Sequence, residues 1–417
     1  MKILVIGNGG REHTLVWKLK QCSAAGRIYC APGNPGIGEL AECVHIQPDE
    51  IGKLKDFALD KQIELTIVGP EVPLVAGIVD EFREAGLQIV GPDKAAARLE
   101  GSKSFAKAFM EKYEIPTGRY EVAYDGEEAR EKLKDFSYPV VIKADGLAAG
   151  KGVLICQKEE EALQAIDDIL EHKVFGDAGN HLVLEEFLEG TETSVLCFVD
   201  GETILPMASS QDHKQIGDND TGPNTGGMGT YSPNRVYTES MAKEVEKKIL
   251  QPTLRGIQKE KMDFRGILFI GLMITEESAK VLEYNVRFGD PETQVVLPRM
   301  KNDLCMVFNH LLNRNLAKLK LEWKEETVVC VVLASGGYPG SYEKGIPIHG
   351  LEGIPEGVIV FHAGTAKKNN ETVTAGGRVL GVTAMGKDVH EARDKAYAVV
   401  DRIRFEGKTY RRDIGLR

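Results

Sequence analysis

The chain has 417 residues, 42% of them apolar, and a formal net charge of −11. That length exceeds a single hydrophobic core and predicts two to four domains. The acidic balance excludes a general electrostatic footprint for nucleic acid or an anionic membrane, so any anion site must be local. Seven cysteines with no CxxC pair form neither a disulfide framework nor a zinc pattern, and read as small buried residues of a reducing compartment. No apolar run approaches a membrane span, and MKILVIG enters a strand without a basic leader, so a cytoplasmic protein is expected.

Residues 1 to about 100 alternate short apolar strands with helical stretches: KILVIG, a helix from about Glu12, RIYCAP, a helix near 49–61, LTIVGP, a helix near 73–85 and QIVGP. This predicts a parallel sheet covered by helices. The strands end in GNGGREH, APGNPG, VGPE and VGPD, at the carboxyl edge where such sheets bind ligands. A dinucleotide fingerprint fails twice: Glu12 replaces the third glycine of GxGxxG, and the second strand ends in Ala31 and Pro32 without an acidic residue for a ribose. Gly9, Gly10, Arg11 and His13 at a helix start favour a phosphate, read as that of a sugar. The alternative is a pair of glycines that only make a tight turn.

Residues 102 to 135 read as helical apart from a short strand near 118–123. SYPVVIKADGLAAGKGVLICQ then predicts strand, glycine-rich loop, strand, with Lys143 ending the first strand and Gly146, Gly150, Lys151 and Gly152 in the loop. A Walker A loop would run into a helix, whereas this one returns into a strand. After a helix near 159–172 come strands with a turn at EGTE, where the backbone of Glu185 to Leu188 could pair with adenine and Glu192 could meet a ribose; the alternative is solvated surface charge. SSQDHKQIGDNDTGPNTGGMGTYSP is expected to be a long polar loop, with Asp212, His213 and Lys214 at its start and Gly226, Gly227 and Gly229 near its end. His213 reads as a surface residue without a catalytic role.

A helix near 238–260 leads to GILFIGLMIT, expected to pair with AKVLEYNVRF. On that second strand Glu283, Asn285 and Arg287 are spaced two apart and share one face, with Tyr284, Val286 and Phe288 on the other. A carboxylate and an amide oxygen suit Mg²⁺ or Mn²⁺, and a guanidinium one pleat further suits a phosphoryl group. The segment from about 325 to 417 mixes strands with a helix near 388–404 and reads as a third folding unit.

Lys143, the glycine-rich hairpin, EEFLEGTE and EYNVRFGDPE, in this order, resemble the ATP-grasp superfamily of carboxylate-amine ligases. GNGGREH, the QDHK to GPNTGGMG loop, NVRFGDPETQ and TAGGRVLGVTAMG extend the resemblance, over all 417 residues, to the glycinamide ribonucleotide synthetase family. It implies an α/β and α+β multidomain chain: a doubly wound parallel-sheet domain over 1–101, an ATP-grasp domain over 102–324 with a lid at about 118–190, and a mixed α/β domain over 325–417. It implies that ATP phosphorylates glycine and that 5-phosphoribosylamine attacks the glycyl phosphate, a step of purine biosynthesis, with no nucleic-acid or membrane partner.

By the same resemblance Lys103 and Lys143 meet the ATP phosphates under the Gly146, Gly150 and Gly152 loop. Glu185, Glu186 and the backbone through Leu188 meet adenine, and Glu192 the ribose. Glu283 and Asn285 hold Mg²⁺ or Mn²⁺, while Arg287 joins the lysines in neutralising the transferred phosphoryl group. Gly9, Gly10 and Arg11, with Asn34 and Gly36 of APGNPG and with Glu71, serve phosphoribosylamine. Asp212, Lys214, Gly226, Gly227, Met228, Arg287, Gly289 and Asp290 surround glycine and the acyl phosphate. One departure is that GILFIGLMIT carries no acidic residue, which leaves a second metal without that ligand. The readings left beside this one are another ATP-grasp ligase or carboxylase, and a nucleotide-binding protein of the same fold without turnover.

Overall fold

The computed structural model describes residues 1–148, 151–275 and 278–416. Parallel strands Ile3–Gly7, Ile28–Pro32, Leu65–Val68 and Ile89–Pro92, with the short Glu42–Cys43, form the N-terminal sheet. The first of them is buried along its whole length, as a strand covered on both faces must be. Helices Gly10–Leu19 and Ile51–Lys61 cover the two faces, one on the side of Ile3 and Val5, the other on the side of Leu4 and Ile6. The helix expected near 73–85 is two, Glu71–Ala76 and Ile78–Glu84, because Gly77 takes a left-handed conformation (φ 101°) that ends the first.

This sheet continues into a second one. The long strand Phe264–Ile274 joins Ile89–Pro92 through two pairs, Phe264 with Pro92 and Arg265 with Gly91. It then pairs antiparallel with Thr191–Val199 on one side and Ala279–Asn285 on the other. The backbones come so close here that a Cβ on Gly266 would lie 2.9 Å from the Gly91 Cα.

A separate four-stranded sheet, ordered Tyr120–Ala123, Leu182–Glu186, Val140–Ala144, Val153–Cys156, has its own small core under helices Gly126–Leu133 and Glu159–Ile166. Strand Leu182–Glu186 lies in this sheet and Thr191–Val199 in the large one, so the turn at EGTE is a passage between sheets. The helices expected near 159–172 and 238–260 each contain a π-helical stretch, at Asp167–Glu171 and Glu246–Leu250.

The polar stretch after residue 208 departs from the expected loop. It holds strands Gln211–Asp212, Gln215–Gly217, Thr221–Asn224 and Gly229–Ser232. The first and last of these join Thr327–Ala334, Arg378–Gly386 and Val358–His362 in a five-stranded sheet, under the helix Val389–Arg402. The C-terminal sheet therefore borrows two strands from the middle of the chain. His213 is accordingly buried, its backbone N–H on the Gly229 carbonyl, rather than a surface residue.

Candidate active site

Between the small sheet and the large one lies a cleft of about 430 Å³. Its floor is the strand Ala279–Asn285, and the expected shared face is present: Glu283, Asn285 and Arg287 line the cleft while Tyr284, Val286 and Phe288 are buried. A bulge makes this so. Gly271 pairs with Glu283 but Leu272 with Val281, leaving Leu282 extra, and the phase changes there: Val281 is buried below it and Glu283 faces the cleft above it. The three side chains form a row, Asn285 Nδ2 donating to Glu283 Oε1 (3.3 Å) and Arg287 Nη2 to Asn285 Oδ1 (3.1 Å). Burial opposes ionisation of Glu283, but Lys214, Lys143 and Lys103 hold its carboxyl below the usual range. An ionised carboxylate beside an amide oxygen is a donor set that fits Mg²⁺ or Mn²⁺.

Lys103 begins the helix Lys103–Lys112 and reaches the Gly146 carbonyl (3.2 Å). Lys143 sits on the small sheet and pairs with Glu185 Oε1 at 2.8 Å, while Lys107 takes Glu185 Oε2 at 2.7 Å. The Glu185 carboxylate is thus held between two lysines at the cleft wall. The cleft wall that fits a flat ring is apolar: Met110, Val141, Val153, Ile155, Phe187 and Leu188. Glu186 lines the same wall, tied to Lys280 (3.0 Å) and the Arg119 N–H (3.0 Å). Gly152 also lines it; Gly150 lies outside the described residues.

Arg287 Nη2 meets Glu100 at 2.9 Å and its Nε meets Glu71 at 3.4 Å. Burial pushes the Glu100 carboxyl up to about 7. Arg11 faces the same cleft, but its guanidinium is already bound, to Glu12 (2.8 Å) and the Phe288 carbonyl (2.8 Å). Glu12 also accepts from the Gly9 N–H, and Asp290 from the Arg11 N–H. Two amides of that helix start are therefore taken by carboxylates. Glu12 fills the space that Gly7 and Gly69 leave open, where a Cβ on Gly69 would lie 1.9 Å from its Oε1. This is why an acid stands where a dinucleotide site has glycine.

Toward the C-terminal sheet, Lys214 meets Asp212 at 2.7 Å and Glu292 at 4.0 Å. Against burial, Asp212, Glu292, Glu192 and Glu283 raise the Lys214 pKa. Burial pushes Glu192 up to about 7 in the same group. Arg378 donates to the Gly226 carbonyl and the Asp290 carbonyl (both 2.6 Å). Asp290 and Arg378 line both the large cleft and a second cavity of about 290 Å³, whose walls include Asn8, Gly9, Tyr338, Gly364 and Gly376.

The cleft gathers Arg11, Glu71, Lys103, Lys143, Gly152, Glu185, Glu186, Leu188, Glu192, Lys214, Gly226, Glu283, Asn285, Arg287 and Asp290 from the sequence-based set. Other members of that set do not line the cleft. Asn34 spends its amide on the Asn8 and His362 carbonyls and on the Ile37 N–H. Gly36 packs on His13 and His362, Gly10 on Gln294, and Met228 is fully buried. Gly227 and Gly289 give room to Asp212 and Glu292, and Gly146 lies against Ala178. Lys107, Glu100, Glu292 and Arg378 line the cleft without having been singled out. For Lys107 a signal existed, since Lys103 and Lys107 are four apart and share a helix face. For Arg378 the signal was the motif TAGGRVLGVTAMG, which contains it but was given no site role.

A cleft between two antiparallel sheets, with lysines on one side and a carboxylate–amide strand on the other, defines an ATP-grasp protein. The biotin carboxylase domain of Hydrogenobacter thermophilus 2-oxoglutarate carboxylase, crystallised with MgADP, shares this fold at a TM-score of 0.73 and 16% identity, over 98% of this chain and 91% of that one. Family models of phosphoribosylglycinamide synthetase match throughout: its N domain at residues 1–100, its ATP-grasp (A) domain at 101–293 and its C domain at 328–417. The chain is 52% identical to the phosphoribosylamine–glycine ligase of Caldanaerobacter subterraneus subsp. tengcongensis, over 99% of each chain. It superposes on the crystal structure of the Thermotoga maritima phosphoribosylamine–glycine ligase with a TM-score of 0.87, at 38% identity and with full coverage of both. The chain belongs to the phosphoribosylglycinamide synthetase family.

Proposed function

We propose that the chain ligates glycine to 5-phosphoribosylamine at the expense of ATP, giving glycinamide ribonucleotide, ADP and phosphate in purine biosynthesis. The observation that carries this is the end-to-end 52% identity with a ligase of that name. The cleft supports the chemistry. A carboxylate cannot acylate an amine until one oxygen becomes a good leaving group, and phosphorylation to glycyl phosphate does that. Little covalent help is needed from the protein, but much charge must be neutralised.

In this reading Lys103 and Lys143 hold the ATP phosphates and Gly152 belongs to the loop above them. The backbone of Glu186 to Leu188 and the apolar wall take adenine, and Glu192 the ribose hydroxyls. Glu283 and Asn285 hold Mg²⁺ or Mn²⁺, which when bound neutralises phosphate oxygens. Arg287 meets the phosphoryl group in transfer, with Glu71 and Glu100 orienting its guanidinium. Asp212, Lys214 and Glu292 surround glycine. Phosphoribosylamine enters by the second cavity, and Asp290 and Arg378, common to both cavities, mark where its amine meets the acyl phosphate. Residues 1–101, 102–324 and 325–417 are the three functional domains, with residues of about 118–190 as lid. Among the described residues no helix is long and apolar enough to cross a membrane; the free cysteines support a reducing compartment, read as the cytoplasm.

The test is ADP release measured over glycine, other amino acids and bicarbonate, with and without phosphoribosylamine. Sustained release is expected only with glycine and phosphoribosylamine together. Release driven by bicarbonate alone would instead make the chain a carboxylase.

A further inference from the structure

Lys107 has no part in the reading above, yet it is buried at the wall of the nucleotide cleft and belongs to an unusual charge arrangement. Two lysines share one glutamate: Lys107 takes Glu185 Oε2 (2.7 Å) and Lys143 takes Oε1 (2.8 Å), with all three side chains 7% exposed or less. Lys107 also donates to Thr117 Oγ1 (2.8 Å), which donates to the Val281 carbonyl (2.6 Å). Val281 N–H returns a bond to the Pro116 carbonyl (2.7 Å). Lys143 Nζ reaches the Leu282 carbonyl of the same strand at 3.4 Å. A continuous polar path thus runs from a phosphate lysine on the small sheet to the strand that bears Glu283 and Asn285.

With both lysines protonated the buried trio carries a net charge of +1. Were Glu185 paired with Lys143 alone, both carboxylate oxygens would compete for one ammonium and the pair would be neutral. Lys107 engages one oxygen, so the carboxylate is shared and the ammonium of Lys143 is less fully neutralised toward an incoming anion.

We propose that Lys107 is a positioning residue for the nucleotide: by sharing Glu185 it leaves Lys143 free to engage the ATP phosphates. The proposal rests on the ATP-dependent reading of the cleft, but concerns nucleotide binding alone. It therefore separates from the choice of glycine as co-substrate.

The experiment compares wild type, Lys107→Met, Lys107→Arg, Glu185→Gln and the double variant Lys107→Met/Glu185→Gln. MgADP affinity is read by calorimetry, KM for ATP and for glycine by ADP release, and folding by thermal melts. Loss of one buried charge-assisted contact predicts a fall in MgADP affinity and a rise in the ATP KM of about 10- to 100-fold for Lys107→Met, with the glycine KM within about threefold. Lys107→Arg should recover part of the loss. The double variant should bind MgADP more tightly than Lys107→Met alone, because Lys143 is then freed from an unshared carboxylate. A purely structural lysine predicts the reverse, with the second substitution adding damage. Unchanged nucleotide affinity in Lys107→Met, or a double variant weaker than the single, overturns the proposal. Should Lys107→Met not fold, Lys107→Arg against Glu185→Gln carries the comparison, and equal ATP KM values for wild type and both variants overturn it. Nucleotide binding without glycine-dependent turnover in the wild type would sink the ligase reading and leave this comparison standing.

Discussion

At the scale of single residues, the strand that carries Glu283, Asn285 and Arg287 assigns two chemical jobs to one face. In the proposed reading Glu283 and Asn285 hold the metal whenever the nucleotide is positioned, whereas Arg287 acts when charge collects on the phosphoryl group. Glu283→Gln is therefore expected to weaken metal-dependent nucleotide binding and to be partly offset by excess Mg²⁺ or Mn²⁺, because one ligand of a hard-cation site has lost its charge. Arg287→Ala is expected to retain nucleotide affinity and lose about 10² to 10³ in kcat, by analogy with other donors to developing charge. Arg287→Lys should recover only part, since an ammonium lacks the planar fork that here spans Glu100, Glu71 and Asn285. Calorimetry over a metal series, beside glycine-dependent ADP release, separates the two. Wild-type turnover in Arg287→Ala would return this strand to an ordinary half-buried one.

At the scale of elements, the N-terminal sheet meets the strand Phe264–Ile274 through two residue pairs, Phe264 with Pro92 and Arg265 with Gly91, beside Gly266. A Cβ at Gly266 would lie 2.9 Å from the Gly91 Cα and 3.1 Å from its carbonyl carbon, so backbone rather than a flexible side chain would have to move. Gly266→Ala should cost about 1 to 3 kcal/mol, the usual range for overpacking a rigid contact. It should lower the urea midpoint without changing the m-value, as expected when stability falls but the surface exposed on unfolding does not. An unchanged midpoint would mean that the junction yields. The strands and helices themselves follow closely from local pattern. The departures fall where a single backbone conformation or a distant partner intervenes: the left-handed Gly77 that splits one helix, and the strand Gly229–Ser232, which pairs with Thr327–Ala334 about 100 residues on.

At the scale of the whole molecule, the C-terminal unit docks on the N-terminal sheet through a pair of buried histidines. His362 N–H donates to His13 Nδ1 at 2.8 Å, and His13 stacks edge-on against Phe361. Burial pushes His13 down to about 3 and His362 down to about 4, so both are neutral in the folded chain at pH 6. The unfolded chain, with histidines near their ordinary pKa of about 6.5, binds more protons below that pH than the folded chain does. Stability from these groups is complete above about pH 6.5 and is lost as pH falls toward 4, by roughly 2 to 3 kcal/mol for each. His13→Gln should flatten this acid limb relative to wild type, measured as denaturant midpoints from pH 7 to 4. Parallel curves for the two proteins would place the acid sensitivity elsewhere.

What the sequence determined by itself is what backbone geometry dictates over a few residues. Period-two spacing placed Glu283, Asn285 and Arg287 on one face, and a strand–glycine loop–strand pattern placed Lys143 beside a loop rather than a P-loop. Motif order also sufficed to indicate the family, because each motif occupies a short continuous stretch. Tertiary structure decided whatever depends on partners far apart in the chain. The Glu185 carboxylate meets Lys107, 78 positions away, and Arg378 meets Asp290, 88 positions away. Asn34 and Gly36 meet His362, more than 300 residues on. The physical reason is the same in each case. Side-chain direction within an element is set by φ and ψ, but which buried charge meets which is set by the sheets that pack around it, since a charge taken out of water must be paired with whatever the fold brings there.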